Sequence, residues 1–223
     1  MRWPPVTLPA SSAGRDCGGE PDHAHAVADG VDPRWALAET VPDLCDLTIG
    51  WLIGEIPNQP EYVGPVDVDE QEAPGLTAAL RDLNRASFLT TSSQAGSNDP
   101  ATGSVRWLQY AAVEGFAEPA ALDHLAAAFT FSPYRITRTP AAIDGDGVPV
   151  TYRNGLVYTT FGSGGRRTVS HLAASGALCR RAVAALRGTE NYVIFDPVPG
   201  RNTLWADLRA FLAAGEYFHP TTR

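Results

Sequence analysis

Asn84-Arg85-Ala86-Ser87-Phe88-Leu89-Thr90-Thr91-Ser92-Ser93-Gln94 is the stretch on which the fold turns. Its β-branched and aromatic content over Ser87–Ser93 predicts a strand. Just upstream, Leu76, Leu80 and Leu83 are spaced four and three apart, so they share a face of a helix that follows Pro74. Just downstream, Gly96, Asn98, Asp99, Pro100 and Gly103 make Gln94 to Ser104 turn-rich. A helix therefore feeds a strand that ends, hydroxyl-rich, in a loop.

Working outward toward the N-terminus, Thr40-Val41-Pro42-Asp43 reads as a helix start, with Thr40 as cap, Pro42 in the first turn and Asp43 at the positive end of the dipole. Leu44, Leu47, Trp51 and Leu52 then form one stripe, and the helix stops near Gly54-Glu55. Residues 57–75 form a loop carrying Asp67, Asp69, Glu70 and Glu72. Toward the C-terminus, Val105 to Phe116 reads as one long strand and Pro119 opens a helix with Leu122, Leu125, Ala126 and Phe129 inward. Pro133 to Thr139 is a short strand. Asn154-Gly155, a pair suited to positive φ at both turn positions, marks a hairpin between Val148–Tyr152 and Leu156–Thr160. After Gly162-Ser163-Gly164-Gly165, a helix of about 20 residues is expected from Thr168 to Leu186. A strand at Asn191–Phe195 and a helix at Thr203–Ala213 follow. The order predicts an α/β chain of mixed α+β type: one domain of mixed β-sheet or two small sheets with flanking helices, over 35–216. A disordered tail, 1–34, precedes it, and a short tail, 217–223, follows.

Composition narrows the chemistry. The chain has 223 residues, 25 acidic and 17 basic, for a net charge of −8. All 17 basic residues are arginine; without lysine there is no Schiff-base or phosphate-loop lysine. An acidic chain argues against a counterion-releasing grip on nucleic acid. No apolar run suggests a signal peptide or a membrane span. Three cysteines without paired spacing (Cys17, Cys45, Cys179) suit a reducing cytoplasm rather than a disulfide framework.

Several local patterns read as ordinary structure. Gly162-Ser163-Gly164-Gly165-Arg166-Arg167 has the ingredients of a phosphate cradle, but its glycine spacing fits neither nucleotide fingerprint, and it reads as a loop. Asp144-Gly145-Asp146-Gly147 lacks the downstream glutamate of a calcium loop and reads as a turn. His23 and His25 have no ligand partner at metal spacing, so no metal is expected. Cys179 stands eight residues from His171, about 12 Å along a helix, too far for a thiolate–imidazole pair. It reads as a small buried residue.

The hydroxyl-rich run belongs to a wider pattern. Asn84 to Gln94 resembles a segment of the C-terminal regulatory domain of eukaryotic methylenetetrahydrofolate reductase, in which Asn-Arg and a spacer lead to an apolar residue, Leu-Thr, a residue pair and Ser-Gln-Pro. Trp51-Leu52-Ile53-Gly54-Glu55-Ile56 is similar to that family's helix end, and Gln109-Tyr110-Ala111-Ala112-Val113-Glu114-Gly115-Phe116 to its Gln-x-Ala-x-Leu-Glu-Phe-Phe strand. Asn191-Tyr192-Val193-Ile194-Phe195 and Leu204-Trp205 match two later pieces. The pieces keep their order from Leu44 to Ala214. The catalytic barrel is absent, since about 250 residues of barrel exceed this chain. The resemblance implies a stand-alone ligand-sensing domain, and the lysine-free, Ala/Arg-rich composition suits an actinobacterial, GC-rich source.

That family's domain binds S-adenosylmethionine in competition with S-adenosylhomocysteine. Carried over by position, its binding residues fall on Glu72, Ala73, Thr90, Ser93, Thr151 and Thr160. Ala73 departs from the family's threonine and loses a hydroxyl; Ala95 departs from its proline. A carboxylate and hydroxyls suit a ligand carrying a sulfonium, an amine and a carboxylate. Trp107 or Tyr158 could stack on adenine, although both suit a core role. The resemblance thus implies a small-molecule adenosyl ligand, with no nucleic acid and no membrane. Two other readings stand beside it. One is an enzyme transferring or cleaving that ligand's groups, with Glu72 or His124 as acid–base residue and no nucleophile in view. The other is a domain that kept the fold, lost the ligand and binds a protein partner.

Overall fold

The computed structural model describes residues 31–60, 73–99 and 105–214. A short 3₁₀ helix, Pro33–Leu37, opens it, capped by the Asp32 carboxylate. Val31 is buried, and the Asp32 amide donates to Asn58 Oδ1, so residues 31–34 belong to the folded unit rather than to the expected tail. Helix α1, Val41–Leu52, begins at Thr40 with a reciprocal cap. The Asp43 amide donates to Thr40 Oγ1, and the Thr40 amide donates to the Asp43 carboxylate. Helix α2, Leu76–Arg85, runs into strand β1, Leu89–Gln94, after three residues.

Two expectations break at the same kind of place. The long strand over 105–116 is two strands, β3, Trp107–Gln109, and β4, Ala112–Ala117, in different sheets. At the break, the Tyr110 amide donates to Val150 O and the Ala111 carbonyl accepts from the Asp196 amide, so the chain changes partner there. The long helix over 168–186 is also two, α4, Gly165–Ala174, and α5, Arg180–Arg187, parted at Gly176, where φ is 67°. Strand β2, Ser97–Asp99, lies inside the expected turn region. The remaining elements are helix α3, Pro119–Ala128, strands β5, Arg135–Pro140, β6, Val148–Arg153, β7, Leu156–Phe161, and β8, Glu190–Phe195, and helix α6, Thr203–Ala213.

Both sheets are antiparallel, with orders β1-β4-β8-β5 and β2-β3-β6-β7. Alternation along β4 separates the core. Val113 and Ala117 face α2, α3 and α6, through Leu80, Leu83, Leu122, Leu125, Leu204 and Leu208. Phe116, on the opposite face, packs with Leu44 of α1, Leu172 of α4 and Leu186 of α5. Ala112, at the other end of that face, packs with Val150 and Phe161 of the second sheet. One side of the first sheet is therefore a continuous helical layer. The other is shared between helices and the second sheet. The expected mixed α+β architecture is what the chain adopts.

Candidate functional site

Strand β1 is an edge strand, and its register is irregular. Thr90 pairs with Gly115, Ser92 with Glu114 and Ser93 with Val113, which leaves Thr91 as an extra residue. Three residues apart on a regular strand, 90 and 93 would face opposite ways. The bulge brings them onto one face, because their partners Gly115 and Val113 share a face of β4. That face looks toward α2, whose first turn follows Ala73. Ala73 is itself buried in the same cluster.

Thr90 is buried and engaged. Asn84, at the end of α2, donates from Nδ2 to Thr90 Oγ1 at 2.7 Å and to Leu80 O, and its Oδ1 accepts from the Thr90 amide. A buried amide side chain with these partners locks the α2–β1 turn. Ser93 and Ser92 are more open, half-buried and exposed respectively. Gln94 then joins the two sheets. Its Nε2 donates to Tyr110 O and Val150 O, both at 2.9 Å, and its Oε1 accepts from Thr151 Oγ1 at 3.0 Å. The Ser-Gln segment and Thr151 of the hairpin thus meet at the C-terminal end of β1. Among the described residues, Thr160 does not join them by hydrogen bonding. It pairs with Pro149, whereas Thr151 pairs with Thr159. Glu72 lies outside the described residues.

A cavity of about 30 Å³ opens beside Thr90 and Thr91, under Trp35, Leu44, Thr48 and Gln59. It has room for one water, whereas pockets for nucleoside-sized ligands run from roughly 300 Å³ upward. A groove of about 600 Å³ lies elsewhere, where α1 and α3 begin and α5 ends, and contains none of the expected site residues.

One polar group was not singled out by the sequence. Glu114 faces the seam between the helical cluster around Phe116 and the cluster around Ala112. Its carboxylate accepts from Asn191 Nδ2 at 3.2 Å and from the Gly162 amide, and burial pushes its pKa above the ordinary carboxylate value. No spacing rule marks it, because it sits in an apolar strand as an alternating polar residue would.

The other patterns resolve plainly. The Asp144 carboxylate takes the Arg167 amide at the start of α4 and the Arg166 guanidinium, so a side chain already fills the would-be phosphate cradle. Cys45 is a free, buried thiol. Burial pushes its pKa up, away from reactivity. Cys179 is buried, as expected, but is not a free thiol, which departs from the expectation of unpaired cysteines. Trp107 and Tyr158 meet edge to face at 4.9 Å, and Tyr158 is half exposed, so a core role for it is corrected. His124 is exposed on α3. Among the described residues, no group of three or more His, Cys, Asp or Glu could hold a metal, and no helix is long and apolar enough to cross a membrane.

Fold and site together define an α+β domain with a bulged, hydroxyl-bearing edge strand clasped to a second sheet. The chain belongs to DUF6919, a domain family of unknown function whose profile matches residues 31–215. No curated protein matches it.

Proposed function

We propose that this domain is a sensor that binds S-adenosylmethionine or S-adenosylhomocysteine and has no reductase activity. The observation that carries the reading is the bulge at Thr91, which sets Thr90 and Ser93 on one face, with Thr151 tied to the next residue through Gln94. Two separated segments, Asn84–Gln94 and the hairpin strand with Thr151, thereby meet at one end of one strand. The ligand would lie against the open end of β1, between Ser93 and the start of α2. Ser93 and Glu72 would contact its polar groups, and Thr90 would hold the strand in shape through Asn84.

Titration calorimetry on the full chain tests this. Heat of binding with either adenosyl compound at micromolar to millimolar concentration is expected, with affinity lowered about tenfold by Ser93→Ala, the loss of one hydrogen bond to a charged group. Absence of heat with both compounds at millimolar concentration overturns it.

A second reading has its own support. Ala73 supplies no hydroxyl, and the cavity beside Thr90 is far smaller than a nucleoside. These favour a domain that retains the fold and serves protein association. Calorimetry that is silent with both adenosyl compounds, together with a partner of defined stoichiometry, would select it.

A further inference from the structure

We propose that the outer edge of β7 pairs, antiparallel and about a two-fold axis, with β7 of a second copy of this chain. Among the described residues the two sheets have four edges, and three of them are blunted. Strand β1 lies against α1 and is bulged at Thr91. Strand β2 is only three residues long. Strand β5 carries Arg135, Arg138 and Pro140, and Arg138 is paired with Glu190 and Asp123. Charge, proline, shortness and cover are the usual protections of an edge.

Strand β7 is bulged at Tyr158, as β1 is at Thr91, but it is six residues long and carries neither charge nor proline. Leu156–Phe161 contains no Asp, Glu, Arg, Pro or Gly, and among the described residues it pairs with β6 alone. Leu156, Val157 and Tyr158 are 74%, 54% and 49% exposed. Leu156 pairs with Arg153 and Val157 with Tyr152, so the two apolar side chains stand on opposite faces. Tyr158 is an extra residue in the β6 register, and its ring rests against Trp107. A flat partner covers one face of such a hairpin. A neighbouring strand shields both faces and also takes up the row of main-chain donors and acceptors.

Charge and symmetry both admit a second copy as that strand. The chain carries −8, yet no carboxylate occurs between Gly147 and Phe161, so the net negative charge of two copies does not oppose their contact through this hairpin. Identical strands related by a two-fold axis run antiparallel, and their exposed apolar residues then meet each other. Pairing along the strand with cover for three side chains buries on the order of 1,000 Å², the floor for a specific interface, which points to association around 10 μM.

Sedimentation velocity on the full chain, from about 1 to about 300 μM, tests the proposal around that estimated affinity. A monomer–dimer transition is expected. Val157→Lys and Leu156→Arg, each of which places one added charge from each copy within the paired strands, should each weaken it about 100-fold. Val198→Lys, at an exposed apolar residue outside the β6–β7 hairpin, should leave it unchanged. Amide exchange of the wild-type chain should show protection over 156–159 that rises with concentration; this holds the test open if a variant fails to fold. A monomer throughout the range, a dimer indifferent to both hairpin variants, a dimer dissolved equally by Val198→Lys, or exchange at 156–159 independent of concentration would each overturn it. The outcome is independent of whether an adenosyl compound binds.

Discussion

Gly115 shows how much one missing side chain can decide. A Cβ there would stand 1.8 Å from Leu89 O and 2.9 Å from Tyr192 Oη. The Tyr192 ring crosses β4 at this point and meets Phe88 edge to face at 5.8 Å. Its hydroxyl is fully buried with no hydrogen-bond partner among the described residues, and burial pushes its pKa well up. Because the clash is with backbone, Gly115→Ala should cost at least about 3 kcal/mol in a denaturant titration, at the severe end of overpacking. Asn84 acts by chemistry instead of space. Asn84→Ala leaves the Thr90 amide and hydroxyl buried without their partner, and should cost about 1–3 kcal/mol. A matching melt of Thr90→Val should show similar loss, since it strands the Asn84 amide instead. Neither role could be read from spacing. The Asn-Arg…Leu-Thr pattern marked both residues by resemblance, but not that they bond to each other.

At the scale of elements, local chemistry predicted what local chemistry controls. The Thr40–Asp43 cap and the Asn154-Gly155 turn appear as read; the turn residues have φ of 52° and 79°. Gly155→Ala should destabilise the hairpin by about 1–2 kcal/mol, the left-handed penalty, even though the new methyl meets open space. For a domain of this size that is a fall in Tm of roughly 2–8 °C by calorimetry. The misread elements are those whose limits come from distant partners. Tyr110 and Ala111 have ordinary strand character, and only bonds to Val150 and Asp196 end β3 and begin β4. The bulge at Thr91 was equally hidden, because threonine and serine carry no bulge signature of their own. Candidate residues on β1 were thus legible as types, while their common face depends on a register set by β4.

At the scale of the whole molecule, the seam on the first sheet predicts a response to pH. Burial raises the Glu114 pKa in the folded state above its ordinary value of 4.5, against the opposing bonds from Asn191 and Gly162. A raised folded-state pKa means the folded protein holds this proton more tightly than the unfolded chain. Its contribution is therefore fully present below about pH 4.5 and is lost as pH rises through the raised value. Glu114→Gln should remove that decline, so the Tm difference between variant and wild type should grow in the variant's favour between pH 4.5 and neutrality. Asp43 works in the opposite direction. Bonds from the Glu39 and Thr40 amides and the Thr40 side chain lower its pKa, so its contribution is present at neutral pH and fades as acid protonates it.

The position of β8 has a consequence for synthesis. It is hydrogen-bonded to β4 on one side and β5 on the other, yet it spans Glu190–Phe195, long after β5 ends at Pro140. At roughly 5–20 residues per second, the ribosome needs about 3–10 s to supply it. Through that interval β4 and β5 wait with open hydrogen-bonding edges, and the nascent chain has most need of a chaperone.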